Sequence, residues 1–210
     1  MSMGVNSSGK SLADMIGADA YREATERANK VGIPIAMFGQ FEPWFAALSI
    51  SQMRMLQLGF DPSWGIETKL GQQAAQDGKA IIGLETLEQQ LGFMDKLDID
   101  TQREFLLQSL EDAETLSDDV DLIVSSWRNG DTGTMEELLL EGFAENGPLY
   151  DALLVERNRN WVSKISSYTR ADENYLVIVG AMHLVGDKSV LSMLADKGIG
   201  SRQLSSSDMR

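Results

Sequence analysis

Tyr175-Leu-Val-Ile-Val-Gly180-Ala-Met-His183-Leu-Val-Gly186 is the stretch on which the reading of this chain turns. An apolar run rich in β-branched residues ends in a glycine, and the only histidine of the chain follows three residues later. Such a run reads as a buried strand of a parallel sheet, and the C-terminal edge of that sheet is where open α/β folds place their ligands. A second run, Ala80-Ile-Ile-Gly-Leu84-Glu85-Thr86, ends in a carboxylate in the same way. Two reactive groups, each just beyond a short strand, predict one shared site.

Further along the chain the expected elements are mostly helices. Helices are predicted from Ser11 to Gly17, Asp19 to Lys30, Pro43 to Leu58, Gly65 to Gln76 and Thr86 to Lys96, each bounded by capping or breaking residues. A run of helices follows over Thr101–Leu116, Asp118–Asn129 and Thr134–Ala144, and then a long one from Asn146-Gly147-Pro148 to Tyr168. A last helix spans Lys188 to Lys197. Strands are predicted at Ile33–Met37, Lys79–Leu84 and Tyr175–Val179, with a final extended piece near Ile199. The pattern implies an α/β fold: a small, mostly parallel sheet with a large helical cap at about 87–146, helix-rich overall. Residues 1–10 and 205–210 read as flexible ends around a single domain at 11–204.

Composition narrows the function classes. The chain has 210 residues, 43% of them apolar, enough for a substantial core. Its formal charge of −14 opposes a nucleic-acid backbone or an anionic lipid surface as partner. No cysteine is present, so thiolate chemistry and zinc–thiolate sites are excluded. The first ten residues have no apolar stretch of a secretion signal. The most apolar segment, Pro43 to Leu56, is broken by Gln52 and Arg54 and reads as a buried helix, not a membrane span.

Six residues stand out as candidates for chemistry. His183 suits a metal ligand or a general base, or else a hydrogen-bonded loop histidine. Gly180 would let the chain turn sharply ahead of it. Glu85 is a carboxylate of the site, or the cap of the helix that begins at Thr86. Arg157 falls in the middle of the apolar arc of its helix, flanked by Tyr150, Leu153, Leu154, Trp161 and Ile165, and asks for a carboxylate such as Glu85 or Glu67. Glu67 is a second acid of the site, or a first-turn acid favoured by the helix dipole. Asn158 could orient a neighbouring group. With one histidine in the chain, a metal site would be oxygen-rich, which favours Mn²⁺, Mg²⁺ or Fe²⁺-like ions.

Taken together, these blocks resemble the TraB/GumN family. The matching blocks are Gly65-Ile-Glu67 with Leu70, Gly83-Leu-Glu85-Thr86 with Glu88-Gln89-Gln90-Leu91, and Trp127-Arg-Asn-Gly-Asp131. Glu156-Arg157-Asn158 with Trp161 and Val179-Gly180-Ala-Met-His183-Leu-Val-Gly186 complete the series, and Gly32-Ile-Pro34 to Pro43-Trp44 also fits. The resemblance runs from about Ser11 to Gln203. It implies an α/β fold related to the Tiki metalloproteases and to the haem-binding ChaN and erythromycin-esterase groups, and a metal-dependent hydrolase of peptide or ester bonds. It makes His183 and Glu85 metal ligands and catalytic groups, Arg157 the catalytic arginine, and Glu67, Asn158 and Gly180 supporting residues.

Relatives carry two Gly-x-x-His motifs, and this chain begins after the first. The expectation is therefore an N-terminally incomplete domain, inactive by itself if half its site is missing. A periplasmic or secreted location would follow from a signal-bearing N-terminus, and a cytoplasmic one otherwise. A non-catalytic module for a peptide or protein, as in pheromone shutdown, is the alternative function. Haem or small-ligand binding with His183 as axial ligand is the third.

Overall fold

The computed structural model describes residues 4–140, 147–205 and 208. It divides into two compact units, residues 1–119 and 120–210. The expected helix end near Ala144, the helix start at Asn146 and parts of both chain ends lie outside the described residues.

The first unit is built on helices whose ends are written in their capping residues. Ser11 caps α1 (Leu12–Ile16) in a reciprocal pair with Asp14: each residue's side chain bonds the other's backbone N–H. α2 (Ala18–Lys30) follows after Gly17. Pro43 opens α3 (Pro43–Gln57), where its missing N–H costs nothing. α4 (Ile66–Gln76) carries no buried residue. Thr86 and Gln89 form a second reciprocal cap on α5 (Leu87–Asp95). Asp98 accepts from the backbone of Asp100 and Thr101 at the head of α6 (Ile99–Asn129), a helix of 31 residues that continues into the second unit.

Apolar burial draws the first unit together. Leu12, Ala24, Ala28, Ile33, Trp44, Ala46, Ala47 and Ile50 are wholly buried, as are Leu106 and Leu110 of α6. Ala24 and Ala28, four apart, give α2 a flat face that admits close neighbours. Charged contacts add to this packing. Glu114 of α6 receives Lys30 at 2.8 Å and Arg27 at 3.3 Å. Arg54 of α3 donates through Nε to the Ala113 carbonyl at 2.8 Å.

The second unit begins within α6, at Val120. It contains α7 (Thr132–Leu140), the short α8 (Gly147–Tyr150), and a π turn at Asp151–Val155 that runs into α9 (Glu156–Tyr168). A 3-10 turn at Ala181–His183 and α10 (Val190–Ala195) complete it. α9 packs on α10 and on the π turn, and α7 packs on the 3-10 turn. Leu149, Leu154, Val155, Trp161, Val162, Val190 and Leu194 fill the interior.

The α/β expectation is overturned. Among the described residues there is no strand and no sheet, only an isolated antiparallel bridge between Val5 and Phe41. Ile35–Phe38 is a 3-10 turn, and Lys79–Leu84, Tyr175–Val179 and the segment near Ile199 have no regular structure. The physical reason is visible in the side chains. Ile81 and Ile82 are adjacent yet 69% and 65% exposed, and Leu176 is 74% exposed, so neither run buries even one face. β-branched residues favour extended backbone, but a sheet needs a neighbouring ladder, and propensity supplies none.

Two helices predicted at Thr101–Leu116 and Asp118–Asn129 are one. Ser117, Asp118 and Asp119 continue the helix, since such residues disfavour a helix interior only weakly. No helix among the described residues is long and apolar enough to cross a membrane.

The flat face of α2 gives a direct check of this packing. Ala28→Leu forces three more carbons into a filled space and is expected to cost about 1–3 kcal/mol. Ala18→Leu, on the exposed start of the same helix, should be close to neutral. Urea denaturation of both variants against the parent chain measures the difference.

Candidate functional site

The histidine and the arginine singled out in the sequence meet in the second unit. α9 contributes Arg157, Asn158 and Trp161. Asn158 and Trp161 are three apart and share a helix face, while Arg157 and Trp161 are four apart and stack along it. The 3-10 turn contributes His183, whose backbone N–H donates to the Gly180 carbonyl at 3.0 Å.

The loop after His183 fixes its place. Val185 is buried, and Gly186 turns the chain at φ +80°, a region that disfavours L side chains. A Cβ there would lie 2.9 Å from Leu140 Cδ1, and the end of that side chain would have to shift. Ser189 then caps α10 by accepting from the Ser192 N–H at 3.1 Å. Between the turn and the cap, the carbonyl of Lys188 accepts from Asn158 Nδ2 at 2.8 Å.

His183 is 6% exposed and Asn158 is 1% exposed. The Nδ1 of His183 lies 2.6 Å from Asn158 Oδ1. The imidazole also packs on Trp161, with ring centroids 4.4 Å apart at 46°. On α9, the Arg157 guanidinium covers the Trp161 ring at 4.9 Å and donates from Nη1 to the Leu153 carbonyl at 3.0 Å, within the π turn. Single π turns recur at functional sites, because the wider turn shifts the side chains that follow.

This setting controls the charge on the ring. Burial, and after it the positive field of Arg157, pushes the His183 pKa down to about 4. The imidazole is therefore neutral at pH 7. A pKa near 4 suits a lone-pair donor better than a proton acceptor, since a general base works best with a pKa near the working pH.

Of the other sequence candidates, Glu85 and Glu67 belong to the first unit and Gly180 adjoins the 3-10 turn of His183. Glu85 is half-buried at a bend in the first unit, one residue before the cap. The capping role weighed for it belongs to Thr86. Glu67 is exposed in the first turn of α4, also in the first unit. Gly180 does not turn the chain sharply: its φ of −60° and ψ of 146° are open to any residue. A Cβ there would meet His183 Cδ2 at 3.7 Å, an ordinary contact. Among the described residues, no group of three or more His, Asp or Glu side chains is placed to hold a metal ion.

The sequence marked Trp161 only as a neighbour of Arg157 on its helix and gave no sign of the Lys188 carbonyl. The spacing Arg157–Asn158–Trp161 was the available signal, since it places three groups able to contact an imidazole on adjoining faces of one helix.

Comparison with known proteins establishes the family. The TraB/PrgY/gumN family model matches residues 1–203, and the chain belongs to that family. It is 26% identical over 185 residues to the uncharacterized protein YbaP of Escherichia coli (strain K12), covering 88% of this chain and 68% of the relative. The YbaP of Shigella flexneri matches to the same extent. No solved structure matches the chain.

The depressed pKa has a consequence for stability. The unfolded chain takes a proton on His183 near pH 6.5, whereas the folded chain resists it down to about 4. Between those values the unfolded state binds more protons, so this contribution to stability is intact above pH 6.5 and is lost as pH falls toward 4. The full loss is on the order of 3 kcal/mol. Urea midpoints from pH 7 to pH 4 should fall more steeply for the parent chain than for His183→Gln, which cannot titrate there. Parallel curves would contradict the buried, neutral ring.

Proposed function

We propose that the residues around His183 form part of a hydrolase-type site for peptide or ester carbonyls. The observation that carries this reading is the pairing of a neutral, buried imidazole with a nearby guanidinium, both gathered around Trp161. In such a site the arginine faces the oxygen that gains negative charge as water adds to the carbonyl carbon. The imidazole accepts a hydrogen bond from that water and holds it in line. Because its proton affinity is low, the ring orients the water more than it takes a proton from it.

The divalent metal implied by the resemblance is not part of this proposal. In the second unit the described site offers one imidazole nitrogen beside a guanidinium. Among the described residues no group of three or more His, Asp or Glu side chains joins them, so by themselves they do not fit a resident cation. No step of the reaction is routed through a metal.

One observation favours a second reading, capture of a peptide without turnover: the low proton affinity of His183 weakens any base catalysis. A single experiment separates the two. The full chain is assayed for turnover of an activated ester and of a mixture of short peptides, beside His183→Gln and Arg157→Leu. Hydrolysis predicts turnover that falls about 100-fold in either variant. Parent turnover no faster than that of the variants, with peptides still bound, supports capture and rejects hydrolysis.

A further inference from the structure

We propose that Asn158 is a positioning residue that fixes the neutral ring of His183 in its Nδ1–H tautomer, leaving Nε2 as the acceptor that meets a ligand. The donors and acceptors of three groups fix this tautomer. The backbone carbonyl of Lys188 can only accept. The end of the Asn158 amide that lies 2.8 Å from it must therefore be the –NH2, which donates. That places the amide oxygen toward the imidazole, 2.6 Å from Nδ1. An amide oxygen can only accept, so Nδ1 must carry the hydrogen. In a neutral imidazole the other nitrogen then holds the lone pair. Among the described residues, the ring's side-chain hydrogen bond is the one at Nδ1.

Each member of this relay is itself held. The Lys188 carbonyl sits between the Gly186 turn and the Ser189 cap. Asn158 is rooted in α9, and its burial removes water as a competing partner. Turning the imidazole over would put Cδ2 in place of Nδ1 against the amide oxygen and leave a buried acceptor unpaired, which is costly. Trp161 against the ring face resists that motion as well. Tautomer and ring orientation thus follow from the Lys188 carbonyl, relayed by Asn158, which lies 25 residues from His183 and 30 from Lys188 in the chain.

The ligand class follows from the lone pair on Nε2. Nε2 can accept from an N–H or O–H group, such as a peptide amide or a bound water, and cannot donate to a carbonyl. The inference deepens the proposed hydrolase-type site by naming the nitrogen that would act there, yet its test does not depend on activity.

The single histidine makes that test clean. The full chain, labelled with ¹⁵N-histidine, is examined at pH 7.5 by long-range ¹H–¹⁵N correlation, where each ring nitrogen shows directly whether it carries hydrogen. The expected spectrum has a protonated, pyrrole-type Nδ1 and a bare, pyridine-type Nε2. Asn158→Asp, which can still accept, should keep that pattern, and Asn158→Leu should move the ring toward the Nε2–H form. A parent chain with hydrogen on Nε2 overturns the proposal even if the leucine variant fails to fold. So does a folded leucine variant with an unchanged pattern. Nδ1–H without any turnover would sink the hydrolase reading and leave this one standing; turnover with Nε2–H would do the reverse.

Discussion

The carboxamide of Asn158, bonded on one side to the Lys188 carbonyl and on the other to His183, is the contact on which the second unit's chemistry depends. An imidazole can be buried only if its polar atoms find partners, and an orphaned one costs about 1–3 kcal/mol. Three separate pieces of backbone converge to meet that need: α9, the 3-10 turn before Leu184, and the link from Gly186 to the cap of α10. Removing any one leaves the other two with polar groups facing each other badly. Trp161 completes the arrangement by closing one ring face and standing next to the guanidinium of Arg157.

Charge and burial then act in the same direction. Arg157 adds a positive field to a ring that desolvation already keeps neutral, so proton binding is opposed twice. The result is a nitrogen poised to accept a hydrogen bond and poorly suited to carry a proton. The chain belongs to the TraB/PrgY/gumN family, and YbaP, at 26% identity, is itself an uncharacterized protein. The case for function therefore rests on the geometry of this site.

Much of the site was legible in the sequence because its signals are local. A lone histidine after Gly180, an arginine on the apolar arc of a helix and an asparagine beside it can each be read from spacing. The helix starts at Ser11 and Pro43 were equally readable, since they are set by chemistry over three or four residues, whereas the cap weighed for Glu85 belongs to Thr86. The sheet was misread because the strand signal in Ala80–Leu84 and Tyr175–Val179 is only a preference of the residues, whereas a strand is a relation between two segments. Nor could spacing identify the Lys188 carbonyl as a partner, because every residue but proline offers the same backbone groups and only the fold selects among them. Gly180 shows the opposite error: a glycine taken for a turn device whose backbone angles any residue could adopt.

The most direct measurement of the central claim, that His183 is enclosed by Trp161, is the set of nuclear Overhauser contacts from its imidazole protons in the full chain. With one histidine, those protons are assigned without ambiguity. The account predicts strong cross-peaks to the Trp161 indole, with ring shifts displaced by the aromatic face. Imidazole protons that show no contact with Trp161 and resonate as in a solvated histidine would contradict it.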